Sequence, residues 1–206
     1  MIHECEARLK GYMFNFAYDL QILKTFDIKY RKVKSAREIK CFFSLPEDGT
    51  TLLCCDGASR ENPGCAGYGF VARDSYGNFL IAESGGLGIT TNFVAEILGT
   101  ISALEWAVIN FKDKLIINSD SIAAINAFMK NNLPWFVLSR WILICKKVKY
   151  IHFNHVYIEV NFYADFFANK GVFLDKGKTL KKFTRPPNMP RMEFPGNTYY
   201  RFDLKH

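Results

Sequence analysis

Between residues 51 and 169 the spacing of apolar positions changes several times. Residues 51–55 form a β-rich apolar run entered through Asp48-Gly49. Residues 68–72 form a second run, and residues 78–84 a third, reached through the turn Asp74-Ser75-Tyr76-Gly77-Asn78. Three such runs with short turns predict an antiparallel meander. From Thr91 the period lengthens: Val94, Ile97, Leu98, Ile101, Leu104 and Val108 recur at about 3.6-residue spacing and predict a helix covering the sheet. Residues 114–118 read as a short buried strand and residues 121–130 as a helix. Asn131-Asn132-Leu133-Pro134 is a break, followed by a second apolar helical stretch over 135–147. A strand over 150–157 and a helix over 161–169 complete the pattern.

Strand, strand, strand, helix, strand, helices, strand, helix describes a mixed α/β sheet. If the first strand runs upward, Asp56 lies at its top, and the long helix begins at the top of the third strand with Glu96 in its first turns. The fourth strand climbs again and ends at Asn118-Ser119-Asp120. A fifth strand running the same way brings His155 to the same rim, with Asp165 in the opening turns of the last helix. Four carboxylates separated by 40, 24 and 45 residues then share the rim where strand carboxyl ends hold ligands in open α/β folds.

Clustered carboxylates repel and raise one another's pKa unless a positive group sits among them. Ligation by oxygen alone selects hard ions, and Mg²⁺ is held by a few carboxylates with waters and substrate phosphates. Two such ions roughly 3.5–4 Å apart clamp the attacking and leaving oxygens of an in-line phosphoryl displacement. A phosphodiesterase is the chemistry this arrangement predicts.

The net charge of +7 over 206 residues is unevenly spread. Residues 1–40 carry nine Lys or Arg against five acids, residues 41–171 ten against twelve, and residues 172–206 eight against three, hence +4, −2 and +5. Basic flanks around an acidic centre suit a polyanionic partner such as nucleic acid, or form solvated tails. The six cysteines include no CxxC pair, so free thiols are expected rather than zinc or disulfides. No uninterrupted apolar run approaches the roughly 18 residues of a membrane span, and the first residues lack a secretory pattern. The expectation is an intracellular protein, nuclear or cytoplasmic, monomeric and without a membrane partner. The basic residues between Lys29 and Lys40 are compatible with the nucleus.

"DGASRENPGCAGYGFVARDSYGNFL", then "GLGITTNFVAEILGTISALEWA", "IINSDS" and "HVYIEVNFYADFFAN", closely resemble the type 1 ribonuclease H domain, in the plant retroelement-derived form found in non-LTR retrotransposon polyproteins and free-standing plant genes. The resemblance spans about residues 52–171. It implies a ribonuclease H-like fold, a five-stranded mixed sheet of order 3-2-1-4-5 flanked by helices. It also implies hydrolysis of the RNA strand of RNA-DNA hybrids with two Mg²⁺ or Mn²⁺ ions, leaving a 5′-phosphate and a 3′-hydroxyl. Under it, Asp56, Glu96, Asp120 and Asp165 bind the metals, and His155, ten residues before Asp165, assists proton transfer or product release. Asn62 and Asn92 match positions that contact the hybrid in the minor groove. "ILKTFDIKYRKVKSAREIK" resembles the linker preceding this domain in those polyproteins. The expected organisation is a basic N-terminal extension over 1–50, a ribonuclease H-like domain over 51–171 and a basic C-terminal tail over 172–206.

Other readings compete residue by residue. Opening a turn is the other reading of Asp56, against which Asp-Gly-Ala-Ser within the whole block weighs, and Asp120 also reads as the N-cap of the next helix, a role open to Ser119 and Ser121. Asp165 suits a helix dipole, and His155 a surface position. Glu105, nine residues after Glu96, falls on the opposite helix face about 13 Å away, so only one of the two can serve the site. Gly85-Gly86-Leu87-Gly88 lacks the Lys-Ser/Thr ending of a phosphate loop and reads as a flexible connection. Ile158 stands where the ribonuclease H pattern has arginine, and Cys54-Cys55 precede Asp56 where it has Asn-x. These departures leave open a nucleic-acid-binding relic that does not cut. An interaction adaptor is suggested only by the 19 phenylalanines, which a core explains more simply.

Overall fold

The computed structural model describes residues 17–28, 36–187 and 193–204. The chain divides into two compact units, residues 1–40 with 200–206 and residues 41–199. In the first lie helix α1 (Ala17–Thr25) and most of a two-stranded sheet made by β1 (Ala36–Phe42) and a C-terminal strand, Thr198–Leu204.

The second unit carries the elements read from the hydrophobic pattern: β2 (Thr51–Ser59), β3 (Gly64–Arg73), β4 (Phe79–Thr90), α2 (Asn92–Ile109), β5 (Lys114–Ser119), α3 (Ile122–Met129), α4 (Trp135–Cys145), β6 (Tyr150–His155) and α5 (Phe162–Gly171). The meander is antiparallel, and β5 and β6 join β2 in parallel. The order β6-β5-β2-β3-β4 is the expected one, with the fifth strand climbing beside the fourth. A sixth strand, β7 (Thr179–Lys182), extends the sheet at the β4 edge. All four of its residues are exposed, so hydrophobic periodicity carries no sign of it. Main-chain pairing to β4 makes it a strand.

Alternate residues of β2 serve different layers. Leu53 and Cys55 enter the larger core, where Ile97, Ile101 and Leu104 of α2 are fully buried beside Phe70 and Ile117. Each such side chain contributes roughly 1.5–3 kcal/mol, which offsets the cost of burying acids at the rim. α2 has the length and hydropathy of a membrane span, but half of it is buried against the sheet. The opposite face of the sheet packs Val71 and Ala82 against Tyr163 and Phe167 of α5.

Asp74 builds the β3–β4 turn, its carboxylate accepting from the amides of Tyr76 and Asn78. Gly85–Gly88 is not a flexible connection, because it lies inside β4. A Cβ at Gly85 would stand 2.1 Å from the Tyr68 ring, so close packing explains that glycine. Among the described residues Cys41, Cys54, Cys55, Cys65 and Cys145 are free thiols, and burial pushes Cys54 up to about 12.

Candidate metal centre and nucleic-acid interface

Asp56 and Asp120 are brought together by strand pairing. Cys54 of β2 lies opposite Asn118 of β5 in parallel register. Two residues further on, where β5 has just ended, the two aspartates follow side by side. Asp120 is not the cap of α3: Ser121 is, its Oγ accepting from the Ala124 amide at 3.2 Å, while Ser119 Oγ accepts from Ser121 N.

Glu96 reaches the same point because α2 crosses β2 at very short range. A Cβ at Gly57 would lie 2.3 Å from Glu96 N and 2.5 Å from Ala95 C, so only glycine permits the approach. The Gly57 amide hydrogen-bonds to the carboxylates of both Asp56 and Glu96. Thr91 caps α2 by accepting from Val94 N. Ligand oxygens of Asp56, Glu96 and Asp120 lie within 4.8 Å of one another. Glu105 turns away as its helical phase requires, its two oxygens accepting from Arg140 Nε and an Nη at 2.7 and 2.6 Å.

Asp165 stands in the first turn of α5, outside that trio, with its Oδ1 accepting from Asn169 Nδ2 at 2.8 Å. It is near enough for its charge to raise Asp56. His155 is the last residue of β6, opposite Ser119 in register. It is exposed, its ring edge-on to Tyr157 at 5.4 Å, and it lines a cleft with Asn118 and Asn154. It is not among the three clustered acids.

Asn62 and Asn92 form one unit. Asn62 Oδ1 accepts from the Asn92 amide at 3.0 Å, and the Asn92 side chain hydrogen-bonds to Glu96. The two candidate hybrid contacts are therefore wired to the acid cluster.

Two side chains of the site escape sequence reasoning. Asn161, fully buried, donates through Nδ2 to Cys55 O at 3.0 Å, tying the start of α5 to the residue before Asp56. Its place directly before an apolar helix is a signal for a cap, not for this cross-link. Glu193 accepts from Tyr163 N at 2.9 Å and pairs with Arg73 at 2.5 Å. Nothing local marks it, since it stands alone in a basic segment 120 residues from Arg73.

Burial and mutual repulsion govern the electrostatics. Glu96, 4% exposed, is pushed up to about 8 by desolvation and by Asp120. Asp56 is raised well above the carboxylate range by burial, then by Glu96, Asp120 and Asp165. Asp165 is raised by burial, with Asp120 adding to the effect. Glu96 Oε2 is buried and receives no hydrogen bond from any described residue. An all-oxygen set with an orphaned acceptor and three perturbed acids fits a hard divalent cation, which would satisfy that oxygen and restore the anionic forms.

An antiparallel meander continued by two parallel strands, with acids on their carboxyl rim, defines a ribonuclease H-like α/β domain. The profile of the reverse transcriptase-like family matches residues 54–171, and the chain belongs to that family. It is similar to a ribonuclease HI of Streptomyces coelicolor, 32% identical over 91 residues. That match takes in 44% of this chain but only 34% of the relative. Among solved structures, the N-terminal RNase H domain of a Mycobacterium tuberculosis protein superposes with a TM-score of 0.56 at 27% identity, covering 60% of this chain and 98% of that one. RNase H1 of Halobacterium salinarum gives 0.55 at 26%, covering 60% and 97%. LC11-RNase H1 in complex with an RNA/DNA hybrid gives 0.51 at 29%, covering 59% and 96%.

Proposed function

We propose that this protein is a metal-dependent endonuclease that hydrolyses the RNA strand of RNA-DNA hybrids. The observation that carries the reading is the convergence of Asp56, Glu96 and Asp120 within 4.8 Å, on a fold whose solved relatives include one in complex with an RNA/DNA hybrid. In this reading Asp56, Glu96, Asp120 and Asp165 would hold Mg²⁺ or Mn²⁺ as two ions. The ions, when bound, neutralise charge on the scissile phosphate and lower the pKa of the attacking water.

The chain's own groups do the rest. Asn62 and Asn92 lie against the minor groove, where the 2′-hydroxyl distinguishes RNA from DNA, and their mutual hydrogen bond holds that contact in a fixed relation to Glu96. Asp165, in the first turn of α5, would help hold the ion that activates the attacking water. His155, exposed at the end of β6, would take the proton that the attacking water gives up and pass it to solvent, while the leaving 3′-oxygen picks up a proton from solvent. The water oxygen bonds to phosphorus, the bond from phosphorus to the 3′-oxygen breaks, and the products are a 5′-phosphate and a 3′-hydroxyl.

A second reading, a retroelement-derived domain that binds nucleic acid without cutting, draws on Ile158 in place of the arginine of the ribonuclease H pattern and on the basic flanks. We favour the enzyme, since clustered acids oppose phosphate binding unless cations join them. Retroelement ancestry, a monomeric state and an intracellular site of action belong to the same proposal. The test is incubation with labelled hybrid and Mg²⁺ beside Asp120→Asn: cleavage that the variant loses supports the enzyme, and tight binding without cleavage by the parent supports the relic.

A further inference from the structure

The family match ends at residue 171, yet a residue well beyond it is built into the site's framework. Glu193 is 1% exposed. One carboxylate oxygen accepts from Arg73 at 2.5 Å, and the other accepts from the Tyr163 amide at 2.9 Å. Arg73 also donates to the Glu193 main-chain carbonyl at 3.3 Å, and its guanidinium lies over the rings of Phe43 and Tyr163. Tyr163 is the second residue of α5. Its amide is one of the four N-terminal donors that a helix cannot satisfy internally.

The residue at the cap position, Asn161, makes no side-chain cap hydrogen bond: its Nδ2 donates to Cys55 O, and in that orientation its Oδ1 meets no donor among the described residues. The cap comes instead from Glu193, 30 residues along the chain, with a negative charge at the positive end of the helix dipole. Two side chains thus fix the first turn of α5: Asn161 anchors its start to the main chain beside Asp56, and Glu193 holds it from the C-terminal side. That turn carries Asp165.

We propose that Glu193 is a positioning residue for Asp165: by capping α5 from outside the residues the family matches, it sets where the fourth carboxylate stands relative to Asp56. The inference rests on the proposed nuclease reading. It makes Glu193 part of the working domain rather than of a solvated tail. A displacement of about 1 Å at a reacting centre costs on the order of a hundredfold in rate, so a loosened first turn has a large kinetic effect.

The experiment must separate the cap from the ion pair, because removing Glu193 alone strands a buried guanidinium. Both variants therefore carry Arg73→Met, whose thioether still packs on Phe43 and Tyr163. Arg73→Met/Glu193→Gln keeps a carbonyl oxygen for the Tyr163 amide, and Arg73→Met/Glu193→Met removes it. The expected result is a kcat on the order of tenfold lower in the second than in the first, with similar KM for the hybrid. Amide hydrogen exchange in the first turn of α5 is expected to be roughly fivefold faster in the second. In an Asp165→Asn background the two variants should cleave at equal rates.

Equal kcat and equal exchange in the two variants would overturn the proposal. So would a kcat difference that persists without Asp165. If the parent protein does not cut hybrids, the nuclease reading has failed by itself. The exchange comparison then decides the cap alone, faster exchange supporting it and equal exchange overturning it.

Discussion

Raising the pH of the metal-free protein from the acid side to about 8 is expected to destabilise it, against the usual trend for carboxylates. Glu96 ionises near 4.5 in the unfolded chain and near 8 in the folded one. Between those values the folded state holds a proton that the unfolded state has released. Stability therefore falls as pH rises, and the contribution is lost by the time pH passes the folded value. At about 1.4 kcal/mol per pH unit, the window from 4.5 to 8 corresponds to as much as about 5 kcal/mol. That is a large share of the roughly 5–15 kcal/mol stabilising a typical domain. The raised Asp56 acts in the same direction. Urea unfolding in chelator across this range measures the effect. A divalent cation that binds only the folded state restores about 2.7 kcal/mol at a hundred times its Kd, and Glu96→Gln flattens the profile. Metal-free stability that stays level or climbs over the window would refute the reasoning.

Three further outcomes follow from particular contacts. Gly57→Ala sets a methyl 2.3 Å from Glu96 N, so it should lower stability by about 1–3 kcal/mol in urea titrations and cut cleavage more than tenfold by moving Glu96. Glu105→Gln loosens a partly exposed pair with Arg140 and should change stability by about 1 kcal/mol or less with cleavage intact, whereas Glu96→Gln should abolish cleavage in the same assay. Asn62→Ala removes the acceptor of the Asn92 amide; hybrid KM is expected to rise several-fold, with a smaller change in kcat, in steady-state kinetics.

The strand order and the rim were legible because each depends on a strong local pattern: continuous apolar runs bounded by turns in β2 and β3, period 3.6 in α2, and acids just past the ends of strands or early in helices. Asp56, Glu96 and Asp120 could be aligned from topology alone, since short connections leave few paths. β7 escaped because four exposed residues hold their place through main-chain hydrogen bonds, which leave no hydrophobic signature. Gly85–Gly88 misled because glycine marks close packing as well as mobility, and only the Tyr68 ring tells which. Glu193 was invisible for a third reason. Its partners, Arg73 and the Tyr163 amide, are distant in sequence, and a lone acid among basic residues looks solvated until something buries it.

The most direct test of the central claim is to label each strand of an RNA-DNA hybrid in turn, incubate it with the protein and Mg²⁺, and determine which strand is cut and with what ends. RNA fragments bearing a 5′-phosphate and a 3′-hydroxyl are expected, with the DNA strand intact, duplex DNA untouched, and no products from Asp120→Asn. Cleavage of the DNA strand, RNA products with a 3′-phosphate, or equal activity in Asp120→Asn would contradict it.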